Sequence, residues 1–156
     1  MLRRALQNGE ASGRDADEAG SPLIHYACLS GEPTMIDFCL RQGQGGANIL
    51  DVDRHGVTAL HQAAWGGSAL AMRHVLRLAP GLVPVNDDLG FDVTAWAVFG
   101  GSQEAVEYAV EIGGRSPLTP NPMGSSALDQ ISSHPTAEMC EMRHWLTSRF
   151  SINTAT

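Results

Sequence analysis

Gly56-Val57-Thr58-Ala59-Leu60-His61-Gln62-Ala63-Ala64-Trp65-Gly66-Gly67 decides how the chain is read. Gly56 permits the positive φ of a tight turn. Thr58 is a good N-cap, because its hydroxyl accepts from an orphan amide of the first helical turn. Leu60, Ala63 and Ala64 make one small apolar face at helical spacing. Gly66-Gly67 ends the helix, since glycine tolerates the left-handed C-cap conformation. The stretch therefore spells turn, helix start, short helix and stop.

The same spelling recurs. Gly20-Ser21-Pro22-Leu23-Ile24-His25-Tyr26-Ala27-Cys28-Leu29-Ser30-Gly31 precedes it, and Gly90-Phe91-Asp92-Val93-Thr94-Ala95-Trp96-Ala97-Val98-Phe99-Gly100-Gly101 follows. Gly124-Ser125-Ser126-Ala127-Leu128-Asp129-Gln130-Ile131 is a fainter copy. The leading glycines stand 36, 34 and 34 residues apart. A period of roughly 33 residues around a T-P-L-H-x-A-like core is the ankyrin signature. The chain thus resembles the ankyrin repeat family over about residues 15–148. The resemblance is closest in the first two copies and faintest in the fourth.

That resemblance implies an all-α fold, an ankyrin-repeat solenoid of paired antiparallel helices with β-hairpin fingers. Residues 1–16 read as an N-terminal half-repeat cap, a second helix whose first helix is missing. Four repeats follow at about 17–50, 51–86, 87–120 and 121–150, and 151–156 is a frayed tail. In repeat one, Pro33 is tolerated in the first turn of the second helix, and Met35, Ile36, Cys39 and Leu40 form its apolar stripe. Gln42 to Gly46 is a glycine-rich connector. The second helix of repeat two carries Leu70, Ala71, Met72, Val75 and Leu76. In repeat three Asp92 replaces the usual Thr and still caps a helix, while Ala95 replaces the usual His. In repeat four Asp129 stands at the His position, and the last helix, about 136–148, carries Met139, Cys140, Met142, Trp145 and Leu146.

Composition narrows the function. Formal net charge is −7 and pI about 5.2, which argues against a broad nucleic-acid surface. No Lys occurs; every basic residue is Arg. No stretch approaches the roughly 20 apolar residues of a membrane span. Cys28, Cys39 and Cys140 sit at apolar helical positions without disulfide spacing, so buried, reduced thiols and a cytoplasmic, reducing compartment are expected. Met1-Leu2-Arg3-Arg4-Ala5-Leu6 is basic and apolar like a mitochondrial transit segment, the minor alternative, but Glu10, Asp15, Asp17 and Glu18 follow at once.

The resemblance places partner docking on the concave face made of finger tips and first helices. At the tips the matching positions include Arg54, His55 and Val57, then Asp88, Leu89 and Phe91. On the helices Leu29, Trp65 and Phe99 share one register and should align as an apolar stripe, the arrangement of a binding groove. Arg54, His55 and Asp88 would set orientation and charge preference. Trp96 and Trp145 are read as core. His25 and His61 match the family's recurrent His, whose ring bonds a neighbouring finger.

Neither a metal nor a cofactor is expected. His25-x-x-Cys28 with Cys39 lacks the fourth ligand a structural zinc wants. No catalytic motif is present, and Asp53 matches a finger aspartate that ties the turn by local hydrogen bonds. The function expected is a non-catalytic adaptor for protein partners, monomeric alone or part of a larger complex. The alternative is a permanent structural subunit of a larger assembly.

Overall fold

The computed structural model describes residues 4, 16–18, 20–41, 47–133 and 136–151. Most of the half-repeat at 1–16, all of the glycine-rich connector at 42–46 and the tail beyond residue 151 lie outside them. The described residues are helical. α1 is Leu23–Leu29, α2 Pro33–Leu40, α3 Ala59–Trp65, α4 Ala69–Leu78, α5 Val93–Gly100, α6 Gln103–Glu111, α7 Ala127–Ser132 and α8 Ala137–Phe150. A single 3₁₀ turn, Pro80–Leu82, follows α4. No helix among the described residues is long and apolar enough to cross a membrane.

The helices come in pairs, α1/α2 to α7/α8, and each pair packs on the next through its first helix. None of the shorter helices would persist alone in water, since isolated helices below about 12–15 residues are marginal. Packing holds them. Ile24, Ala27 and Cys28 of α1, Leu60, Ala63 and Ala64 of α3, and Ala97 and Val98 of α5 are fully buried. From the second helices Ile36, Met72, Val75, Val106 and Ala109 join them. Alanines at the contacts let the first helices approach closely.

Glycine sets the closest approach. A Cβ on Gly66 would overlap the Leu29 carbonyl, and one on Gly100 would overlap the Trp65 carbonyl. Both clashes are with backbone, which cannot swing aside. α3 and α5 therefore each end against the last carbonyl of the first helix before them.

The turns that open the first helices follow one pattern. Asp53 N–H donates to the Val57 carbonyl, and Asp53 Oδ1 accepts from His55 N at 2.8 Å and Val57 N at 3.0 Å. Asp87 does the same for Leu89 N and Phe91 N, and Asn121 for Met123 N and Ser125 N. Gly56, Gly90 and Gly124 complete these turns at φ 71°, 81° and 82°. No strand forms among the described residues; one isolated antiparallel bridge joins Ala16 and Pro22. The fingers are side-chain-tied turns, too short to pair as strands.

Polar bonds stitch each pair to the next. Ser68 caps α4 through Ala71 N and donates to the Gly31 carbonyl; Ser102 caps α6 through Ala105 N and donates to the Gly67 carbonyl. Such a cap is worth about 1 kcal/mol. On the second helices His74 Nε2 meets Asp37 Oδ1 at 2.6 Å, Arg73 lies over the Tyr108 ring, and Arg149 bonds Glu107.

The two histidines act between pairs. His25 Nε2 donates to the Asp51 carbonyl at 2.9 Å, and His61 Nε2 to the Val85 carbonyl at 3.1 Å. His61 Nδ1 accepts from Thr58 N–H, which closes a capping box. Pro22 holds the Thr58 position in the first unit and has no N–H, so buried His25 Nδ1 is left without a partner among the described residues. At Ala95 the ring is missing. Asp92 and Arg115 make the link instead: Arg115 N–H donates to Asp92 Oδ2 at 2.7 Å, and its guanidinium to the Gly90 carbonyl at 2.7 Å.

Some expectations need correction. Of the apolar residues that the second helix of repeat two carries, Leu70 is 62% exposed, because it lies beyond the edge of the buried face of α4. Cys140 is exposed. It matches the buried Ile36, Met72 and Val106, but α8 is the last described helix and no described helix covers that position. Thr94 replaces the core leucine Leu60, and its buried hydroxyl finds no partner among the described residues, a cost of about 1–3 kcal/mol.

Two consequences are measurable. Gly100→Ala should destabilise the protein by about 1–3 kcal/mol through overpacking against backbone, lowering the melting temperature by several degrees; an unchanged melt would contradict the close approach. Burial lowers the His61 pKa from 6.5 to about 4. The unfolded chain then takes up a proton that the fold refuses, so this stability is present above pH 6.5 and lost as pH falls towards 4. Urea unfolding should show the stability gap between wild type and His61→Asn narrowing by roughly 3 kcal/mol from pH 7 to pH 4. A gap that stays constant would contradict the buried neutral ring.

Candidate functional site

The first helices and the finger turns present one continuous face. Counted from each unit's leading glycine, Leu29, Trp65 and Phe99 hold one register, while Tyr26, Gln62, Trp96 and Gln130 hold the register three residues earlier. Residues three apart on a helix are neighbours, so the two rows run side by side across the stack. Helix packing fixes their spacing, and the glycine at each helix end brings successive rows close together.

An aromatic tract results. The Trp65 and Trp96 rings meet edge-on with centroids 5.4 Å apart, Trp96 and Phe99 lie 6.4 Å apart, and Phe99 and Phe91 5.3 Å apart. His61 sits 5.6 Å from Trp96 on the buried side. Trp96 Nε1–H donates to Asp87 Oδ2 at 3.0 Å. The finger aspartate thus ties its own turn with one oxygen and pins the tryptophan with the other. Tyr26 O–H makes the equivalent bond to Asp17 Oδ2 in the first unit.

Two cavities open along the tract. One, of about 270 Å³, lies between α1 and α3 against Asp17, Tyr26, Leu29, Gln62 and Trp65, with Ser21 and His25 at its wall. The other, of about 370 Å³, is lined by Leu89, Phe91, Trp96, Phe99, Ile131 and Met139, with Asp87 and Gln130 at its edge. The second is the more apolar. The Trp65–Trp96 contact lies between them.

Leu29, Trp65, Leu89 and Phe99 come together on this face as the sequence suggests. Leu29 is 37% exposed, Trp65 47% and Leu89 57%, and Phe99 is half-buried. Two candidates do not present themselves there. Val57 is only 3% exposed, because it closes the finger turn and leads the buried run into α3. Phe91 is 7% exposed and reaches the second cavity only as wall, edge-on to Phe99. Arg54, His55 and Asp88 are exposed at the finger turns, where Asp88 N–H donates to the His55 carbonyl, and they line neither cavity.

Trp96 corrects the sequence reading most. It is not core: it stands in the register of Tyr26 and Gln62, half-buried in the middle of the tract. The signal was available, since Trp96 lies six residues after Gly90 as Tyr26 does after Gly20. Trp145 is half-buried, edge-on to Phe150 at 5.6 Å.

This face offers apolar and aromatic surface rather than a cluster of reactive groups among the described residues. Cys28 and Cys39 lie in the core, where burial pushes the Cys28 thiol up to about 12 and raises that of Cys39. Both are poor nucleophiles as thiols. His25 spends Nε2 on a carbonyl, and the described residues contain no group of three His, Cys, Asp or Glu placed to hold a metal. No known protein-family model matches the chain, and no curated protein is significantly similar to it.

The two tryptophans of the tract should separate by stability. Trp96→Ala removes a half-buried ring and leaves Asp87 Oδ2 unpaired, and should cost about 3 kcal/mol in urea unfolding. Trp65→Ala removes a ring that is half in water and should cost about 1 kcal/mol. Equal large losses would mean that Trp65 is core.

Proposed function

We propose that the chain is an ankyrin-type solenoid acting as a non-catalytic protein–protein interaction module, with a partner segment docked along the first-helix face. The observation that carries the reading is the continuous tract Trp65–Trp96–Phe99, exposed at Trp65 and half-buried at Trp96 and Phe99, flanked by two cavities. Aromatic rings gathered along one partly open face are typical partner anchors. Tryptophan and tyrosine suit the task because they lose little rotamer freedom and pair an apolar body with a donor.

The ankyrin reading rests on the spaced glycine turns, the paired helices and the finger-to-histidine bonds. It also explains why the site is built in rows, since each unit supplies the same two positions. The partner is a protein, and its apolar side chains enter the cavity of Leu89, Trp96 and Phe99. The unpaired, buried Cys28 and Cys39 fit a reducing, cytoplasmic setting.

The test is affinity capture from native extract, wild type beside Trp65→Ala and Phe99→Ala, with the partners then purified and titrated against each variant. The expected result is a loss of affinity of about tenfold or more per ring, with Trp65→Ala melting close to wild type. Undiminished binding by both variants would overturn the reading and move the interaction surface elsewhere.

A further inference from the structure

The row that runs Tyr26, Gln62, Trp96 changes chemistry at its second step. In the first and third units the finger aspartate pins the row residue: Asp17 Oδ2 accepts from Tyr26 O–H, and Asp87 Oδ2 from Trp96 Nε1–H. In the second unit Asp53 Oδ1 ties its turn in the usual way, but Oδ2 accepts from Ser21 Oγ of the preceding finger at 3.4 Å. Gln62 is therefore left unpinned. It is only 8% exposed, it lines the cavity between α1 and α3, and its side-chain amide has no hydrogen-bond partner among the described residues. We propose that the Gln62 amide pairs with the main chain of an extended partner segment laid across this cavity. The inference rests on the protein-binding reading above and names the form of the partner.

An amide buried this deeply and left unpaired costs the free protein stability, which hydrogen bonds from a ligand offset. A glutamine side chain carries an acceptor oxygen and two N–H donors in one plane. One residue of an extended chain presents its N–H and its C=O along the same edge, as it does when it exchanges both bonds with the residue opposite it in an antiparallel sheet. The two match: Gln62 Oε1 accepts from the N–H, and Gln62 Nε2 donates to the C=O.

A helix offers no such edge, because its N–H and C=O groups are spent on each other four residues apart. Docked here, it would strip water from the Gln62 amide and return no bond, which is unfavourable. The polar groups beside Gln62 do not compete for the segment. Asp17 holds the Ser21 amide at 2.9 Å and the Tyr26 hydroxyl, and the Ser21 hydroxyl is given to Asp53. Leu29 and Trp65, both exposed, supply apolar surface in the same cavity for the side chains next to the paired residue. At about 270 Å³ the cavity falls below the size of a drug-sized ligand pocket and suits a short run of chain.

The experiment pans a random-peptide phage library against the full chain. Enriched peptides are synthesised and titrated calorimetrically against wild type, Gln62→Met, Trp65→Ala and Phe99→Ala. Methionine keeps the length of glutamine and removes the amide, so Gln62→Met should melt no lower than wild type. Each main-chain amide of a peptide is then replaced in turn by an ester, which removes one N–H and keeps the shape of the chain.

One ester position is expected to weaken binding to wild type by about fivefold or more, but to Gln62→Met by less than about twofold. The ester exchange leaves the protein untouched, so its effect on wild type does not depend on how well a variant folds. Peptides that depend on Trp65 or Phe99 yet show no such position would overturn this inference alone. So would peptides that bind more tightly when stapled into a helix, or whose dependence on Gln62 runs through a side chain of their own and survives every ester exchange. Peptides indifferent to both Trp65→Ala and Phe99→Ala, or no enrichment at all, would instead overturn the protein-binding reading beneath it.

Discussion

The structure depends on how closely one first helix can lie against the next. Gly66 and Gly100 sit where any side chain would strike the carbonyl of Leu29 or Trp65. Because the contact is backbone against backbone, the offset between units is fixed at that point. Alanines fill the remainder of the contact, and the longer second helices add Met72, Val75 and Val106 behind them. No single unit buries its own apolar surface, so each is stable only with a neighbour.

That constraint also builds the face. The residue just before each close-approach glycine is Trp65 or Phe99, and Leu29, before Ser30, holds the same register in the first unit, so the stack itself brings these side chains into line. The residue one helical turn earlier is drawn into the same row, which is why Trp96 lies against both Trp65 and Phe99. The finger aspartates work at both levels. Asp87 closes a turn through one oxygen and orients the Trp96 indole through the other, so fold and surface share a residue. Where the inter-unit histidine is missing at Ala95, the Asp92–Arg115 link makes a different bond across the same junction.

Much of this was legible in the sequence because the turn chemistry is local. Glycine at a fixed period, Thr58, Ser68 and Asp92 as caps, and Asp53 as a turn tie each declare their role within a few residues. The stripe of Leu29, Trp65 and Phe99 was legible for the same reason, by counting from the glycines. What failed were judgements about burial. Val57 and Phe91 are next to the tips in sequence, but the chain dives into the core there, and exposure at the tip stops one residue short. Trp96 was read as core by matching its register to a core leucine, whereas counting from Gly90 puts Thr94 at the Leu60 position and Trp96 in the row of Tyr26 and Gln62. Cys140 kept the register of a buried residue at the last described helix, where no described neighbour covers it. Burial of this kind is decided by the adjoining unit, which a single stretch of sequence does not contain.

The most direct measurement is through-space proton contact between the Trp65 and Trp96 indoles in the unbound protein, by NMR with selectively labelled tryptophan. Rings with centroids 5.4 Å apart should give strong cross-peaks between Trp65 and Trp96, and further ones from Trp96 to Phe99. The Trp96 indole N–H, held by Asp87, should exchange with water more slowly than that of Trp65. Absent cross-peaks with equally fast exchange at both indoles would contradict the account, because the stacked units would then fail to bring their rings into one tract.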